Sequence, residues 1–162
     1  MEKLRSVWRA ANIVLAGTVC LPVTAEAQAP KVTGMMILTG ACKKLTVNGK
    51  NRTADCTGKL LNTDYSNGRT GFYFVTNHGM TVTFSTRGDK QVHSDADTAI
   101  APVDMVIVGG EGRSEKISAT GTCKFVNPYK GPAPIECRAE SASGLFEASF
   151  VSDGGKPDVQ TF

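Results

Sequence analysis

A cysteine-bounded segment occurs twice in this chain, and it constrains the fold more than any other feature. Thr39-Gly40-Ala41-Cys42-Lys43 is echoed by Thr120-Gly121-Thr122-Cys123-Lys124, and each cysteine has a second one fourteen positions on, Cys56 and Cys137. The echo continues more weakly, since Phe74-Val75-Thr76-Asn77-His78-Gly79 resembles Phe150-Val151-Ser152-Asp153-Gly154 with one residue fewer. Four cysteines allow three pairings, and equivalent units would close equivalent loops. The expected disulfides are therefore Cys42–Cys56 and Cys123–Cys137. In the chain-entropy model a loop of about 15 residues contributes roughly 3 kcal/mol. The rival reading is a four-thiolate zinc site, which usually brings ligands in pairs about two to four residues apart. No such pair exists here.

The even cysteine count depends on the amino terminus, where Lys3, Arg5 and Arg9 precede an apolar stretch over residues 10–23 and the small residues of Ala25-Glu26-Ala27. That three-part pattern predicts a secretory signal over residues 1–27, with Gln28 first in the mature chain. Cleavage after Ala29 is disfavoured by Pro30. A membrane anchor would need roughly 20 apolar residues, and Asn12, Gly17 and Pro22 interrupt this shorter core. Val19 before Cys20 is too bulky for a lipidation site. Removal of the leader takes three of 18 basic and two of 15 acidic residues, leaving 15 against 13, or +2. That charge is too small to imply nucleic acid. Residues 28–162 suffice for one domain with a core, and no later segment reads as a membrane span. An exported protein, periplasmic or extracellular, is the expectation.

Strand and turn signals dominate the mature chain, with little or no helix. Residues 80–86 (Met-Thr-Val-Thr-Phe-Ser-Thr) alternate apolar and polar, which predicts a strand with one buried face. Residues 70–76 form a β-rich run before it, and Asn77-His78-Gly79 suits a hairpin loop between them. Residues 103–108 read as a strand with Val103, Met105 and Ile107 on one face and Asp104, Val106 and Val108 on the other. Gly109-Gly110-Glu111-Gly112 is then a turn leading to an antiparallel return over 113–119. Residues 32–39 and 145–151 are further strands. Within the first cysteine loop, Leu45 and Val47 lead to Asn48-Gly49, a type I′ turn signal. The second holds a stiff loop over 127–134 with three prolines. About eight to ten short strands predict an antiparallel sandwich or small barrel, built from a duplicated disulfide-stapled hairpin unit with halves near 32–79 and 113–154. Halves of that size rarely hold a core alone. Residues 154–162 read as a flexible end.

Catalytic motifs are absent: there is no Gly-x-Ser-x-Gly elbow, His-Glu-x-x-His helix or Walker loop. Of the two histidines, His78 reads as an exposed turn residue. His93 is followed by Asp95 and Asp97, which share a side in an extended strand and would need a curled loop to meet at a metal. A solvated acidic loop is the default there. Paired carboxylates of the glycosidase kind single out no residue. Lys43, Lys44, Lys50, Arg52 and Lys59 cluster in and beside the first loop against only Asp55, a patch suited to an anionic polymer or an envelope protein. Solubilising edge lysines are the plainer account of the same residues. Arg87-Gly88-Asp89 matches a short recognition tripeptide but is also an ordinary turn that arises easily by chance, and Asn51-Arg52-Thr53 fits a glycosylation acceptor pattern, which matters only in a host that glycosylates secreted proteins.

These observations imply a soluble exported binding or interaction module without cofactor or resident metal. Its working surface would be the loops 43–55 and 124–136, with Lys43, Lys44, Lys50 and Arg52 as the binding residues. The alternative is a small secreted hydrolase or metal-dependent enzyme using His93 with Asp95 and Asp97. A subunit of a surface assembly, joined through an unpaired strand edge, is a third possibility.

Overall fold

Period-two alternation with β-branched and aromatic residues, broken by Gly-containing turns, yields eleven strands among the described residues. The computed structural model describes residues 29–110 and 112–162; the expected signal at 1–27 lies outside them. The strands are β1 (Val32–Val47), β2 (Lys50–Asn51), β3 (Cys56–Tyr65), β4 (Arg69–Thr76), β5 (Thr81–Arg87), β6 (Val92–His93), β7 (Thr98–Gly110), β8 (Arg113–Val126), β9 (Pro134–Ser141), β10 (Gly144–Ser152) and β11 (Asp158–Thr161). Three short 3₁₀ turns are the only helical segments described. None of the described helices is long and apolar enough to cross a membrane.

Each major strand pairs antiparallel with the next in the chain, and β1 closes the ring by pairing with β10. The result is an eight-stranded up-and-down barrel of β1, β3, β4, β5, β7, β8, β9 and β10, so the sandwich alternative falls away. Closure removes the exposed edges an open sheet would carry. The small strands β2 and β6 pair with β1 and β7. The chain end is not a loose tail: β11 pairs with β1 from Gly34↔Thr161 to Ile37↔Asp158. It lies on the edge of β1 opposite β3, where β10 has already ended and the backbone groups of β1 need partners.

Both expected disulfides are formed, Cys42–Cys56 and Cys123–Cys137. The glycines preceding them have one physical role. A Cβ on Gly40 would lie 2.1 Å from the Val151 carbonyl oxygen, and one on Gly121 would lie 1.9 Å from that of Arg138. Gly40 marks where β1 exchanges β3 for β10, and Gly121 lies where β8 takes on β9. The later echo also matches in burial, with Phe74 and Phe150 fully buried and Thr76 and Ser152 nearly so.

The barrel interior is filled. Phe72, Phe74, Phe84, Phe146 and Phe150 occupy it with Leu38, Leu45, Leu60, Val82, Val103, Val106 and Ile135, all 4 % exposed or less. Phe74 meets Phe84 edge-on at 5.8 Å between ring centroids, and Phe72 lies 5.0 Å from Phe125. Each such side chain contributes about 1.5–3 kcal/mol on full burial. Eight strands enclose room for side chains or one small ligand; here side chains take it.

Two predictions about faces need correction. A bulge between Val103 and Met105 shifts the β7 register, so Val103 and Val106 both become core residues rather than occupying opposite faces. On β5, both faces are buried: Val82 and Phe84 point inward, while Thr83 at 2 % and Ser85 at 8 % exposure lie beneath neighbours on the outer wall. The turns agree with expectation. Asn48 and Gly49 have φ of 50° and 75°, the pair of positive values a type I′ turn requires, and Gly79 has φ of 69°.

Candidate functional site

The tips of the two cysteine-bounded loops lie apart, although their stems share one face of the wall, where Lys43 and Lys44 line an open depression of about 480 Å³ with Lys124, Glu136 and Arg138. The first joins neighbouring barrel strands one and two (β1, β3), and the second joins strands six and seven (β8, β9). In an up-and-down barrel an odd step inverts strand direction, so the loops sit at opposite ends. Contacts agree: Ser143 Oγ donates to Asn48 Oδ1 and Asn77 N donates to Asp55 O at one end, while Asn127 N donates to Asp97 O at the other. The basic cluster is also partly neutralised. Lys44 Nζ lies 2.6 Å from Glu147 and Arg52 Nε lies 2.6 Å from Asp55, whereas Lys43 and Lys50 make no ion pair among the described residues. Arg138 joins the same Glu147 at 2.7 Å. Lys44 and then Arg138 hold the Glu147 carboxyl below the usual range.

His93, Asp95 and Asp97 are not assembled as ligands. Asp95 accepts from the backbone N–H groups of Asp97 and Thr98, at 2.9 and 2.7 Å, and so closes the β6–β7 turn. Asp97 accepts from Lys130 Nζ at 2.8 Å and Asn127 Nδ2 at 3.1 Å, tying that turn to the second cysteine loop. These donors, Lys130 first, lower the Asp97 carboxyl. Among the described residues, the His93 ring meets Gln91. No group of three His, Cys, Asp or Glu residues among those described is arranged to hold a metal. His78 is an exposed hairpin residue as expected, on the rim of an open depression of about 530 Å³ with Arg52, Met80, Val108, Arg113 and Glu115.

The arrangement richest in chemistry is on the outer wall, and the one-dimensional pattern missed it. Strand pairing aligns Gly71↔Ser85↔Met105 and Tyr73↔Thr83↔Ile107 across β4, β5 and β7. Small outward residues on β4 and β5 leave a groove of about 350 Å³, with Tyr65, Tyr73 and Arg69 on one side and Met105, Ile107 and Lys116 on the other. Gly71 makes it possible, because a Cβ there would come within 2.5 Å of Cε2 of Tyr73. The Tyr73 ring instead lies back over the glycine backbone.

Three interactions shape this groove. The Tyr65 and Tyr73 hydroxyls share a short hydrogen bond. Burial, and then that bond, push the Tyr73 phenol up to about 12, so it remains protonated through neutral pH. Arg69 Nε donates to Ser85 Oγ at 3.0 Å while its two terminal nitrogens grip the Asp104 carboxylate. Arg69 consequently lowers the Asp104 carboxyl. Asp104 is placed for this by the same bulge that displaced the β7 pattern. Thr83 lines the groove and its hydroxyl enters none of the described hydrogen bonds, while the buried side-chain oxygen without a partner among the described residues is Thr63 Oγ1, on β3 opposite Gly71. The sequence signal lay in the polar positions of the 80–86 alternation, which read as solvent-facing until the register placed tyrosines beside them.

No protein-family model, curated protein or solved structure matches the chain.

Proposed function

We propose that this chain is an exported, non-enzymatic binding module that holds its ligand on the outer barrel wall rather than inside the barrel. One observation carries this reading: phenylalanines and the Cys123–Cys137 disulfide fill the interior, while a wall groove presents the Thr83 and Ser85 hydroxyls between tyrosine rings and apolar side chains. A concave site with few convergent polar groups is the default binding location. Export follows from the leader pattern over 1–27, and two disulfides fit an oxidising compartment. Duplication of a hairpin unit is part of the same proposal, supported by the matched roles of Gly40 with Gly121 and the matched burial of Phe74 with Phe150.

The test is a cross-linking pull-down from native envelope and culture medium with the oxidised chain from Gln28 as bait. Two controls run beside it: Thr83→Phe, which fills the groove, and charge reversal of Lys43, Lys44, Lys50 and Arg52. Both are checked for folding by circular dichroism. Capture lost with the folded Thr83→Phe variant places the ligand in the groove. Capture lost only with charge reversal moves the surface to the first cysteine loop. The absence of any captured partner overturns the binding-module reading.

A further inference from the structure

Resting on that reading, we infer that the groove between Tyr73 and Met105 takes a saccharide, one or two pyranose rings of a larger glycan. The inference comes from the free valences of the groove and from the ligands it is built to refuse.

An extended peptide commonly binds a β-protein by adding to a strand edge. The groove floor offers none, because β4 pairs with β3 and β5, and β5 pairs with β4 and β7. An anion would seek the guanidinium of Arg69, but Asp104 already engages both terminal nitrogens and Ser85 takes Nε. Lys116 is then the one cation lining the groove without an ion pair among the described residues. An acyl chain would cover the Thr83 and Ser85 hydroxyls without bonding them, which penalises a purely apolar ligand.

A sugar ring answers each of these features. Its vicinal hydroxyls donate and accept at once, and the groove offers groups of the same double character. In the Tyr65–Tyr73 pair only one proton is used between the two phenols, leaving the other to donate outward. Ser85 Oγ accepts from Arg69 and keeps its own proton free, while Thr83 has both functions open. Beside the groove, held by Arg69, Asp104 retains acceptor capacity on a partly exposed carboxylate. The tyrosine rings supply apolar surface for the C–H face of a pyranose. A volume of about 350 Å³ is at the small end for ligand sites, consistent with a short stretch of a chain that continues into solvent.

Intrinsic fluorescence gives a direct readout, because Tyr65 and Tyr73 are two of the three tyrosines and the single tryptophan, Trp8, precedes Gln28. The oxidised chain from Gln28 is titrated with dextran, with chitin oligosaccharides and with polygalacturonate, covering neutral, N-acetylated and acidic sugars. The expected result is a saturable change in tyrosine emission with at least one of them. Thr83→Val keeps the shape and removes an unpartnered hydroxyl, so its stability should hold or rise. Its affinity should fall roughly 3- to 10-fold, the range for one neutral hydrogen bond. Gly71→Ala, which displaces the Tyr73 ring, should abolish the response while Lys43→Glu leaves it intact. Sugar binding indifferent to Thr83→Val and Gly71→Ala overturns the assignment, as does silence across all three sugars. In the silent case the pull-down decides separately: capture sensitive to Thr83→Phe keeps the groove as a site and discards only the saccharide.

Discussion

Replacing the two disulfides separately should cost unequal amounts of stability, although their loops are the same length. Each pair encloses a separation of 14 residues, so the chain-entropy model assigns each a similar contribution, about 3 kcal/mol. Their surroundings differ. Cys123 and Cys137 face one another across β8 and β9 at 0 and 3 % exposure, within the barrel core. Cys42 and Cys56 are only partly buried, packed against its margin. Removing two sulfur atoms from a filled interior adds a packing loss of about 0.5–1.5 kcal/mol for each, by analogy with deletion of one buried methyl group. Cys42→Ala with Cys56→Ala should therefore cost about 3 kcal/mol, and Cys123→Ala with Cys137→Ala about 5 kcal/mol. The difference, about 2 kcal/mol, corresponds to a urea midpoint shift on the order of 1 M. Urea unfolding of both double variants measures it. Limited reduction of the native protein followed by alkylation supplies a second readout, since the marginal pair should react first. Equal losses, or prior reduction of the core pair under native conditions, would refute the argument from burial.

Three other predictions follow from particular contacts. Gly121→Ala should disrupt β8–β9 pairing, because the new methyl meets backbone of Arg138 and Ala139 that cannot move independently; a loss of about 3 kcal/mol or more is expected in thermal unfolding, and near-neutrality would contradict the close approach. Tyrosinate absorbance should show one late ionisation near pH 12, moving lower in Tyr65→Phe as the inter-phenol bond is lost. Because the folded Tyr73 pKa is raised above its unfolded value of 10.0, the unfolded chain releases its proton first, and this group's contribution to stability declines as pH rises from about 10 to about 12. Arg69→Gln should return the Asp104 carboxyl towards its ordinary range in a carbon-detected NMR titration; an unchanged titration would mean Arg69 is not what holds it down.

Much of the barrel was written in local sequence. Strand segments, the Asn48-Gly49 turn and both disulfide pairings could be read from it, because period-two alternation, positive-φ residues and a repeated covalent spacing are properties of short stretches of chain. The faces were less legible. One extra residue near Asp104 inverted the outer half of β7, and no composition signal distinguishes a bulge from a regular strand there. The tail was misread because Gly154-Gly155-Lys156-Pro157-Asp158 carries turn and polar residues and β11 is exposed, yet the vacant edge of β1 gives its backbone groups partners.

By itself, the sequence determined an all-β chain with two covalent staples, since these depend on neighbours within a few residues or on a fixed cysteine spacing. Tertiary structure decided between sandwich and barrel, sent the equivalent loops to opposite ends, and brought Tyr65, Tyr73, Arg69, Thr83, Ser85 and Asp104 together on one wall. Those outcomes depend on strand number, register and closure. Each is set by which backbone edges remain unpaired when the whole chain has folded, a quantity that no single segment carries.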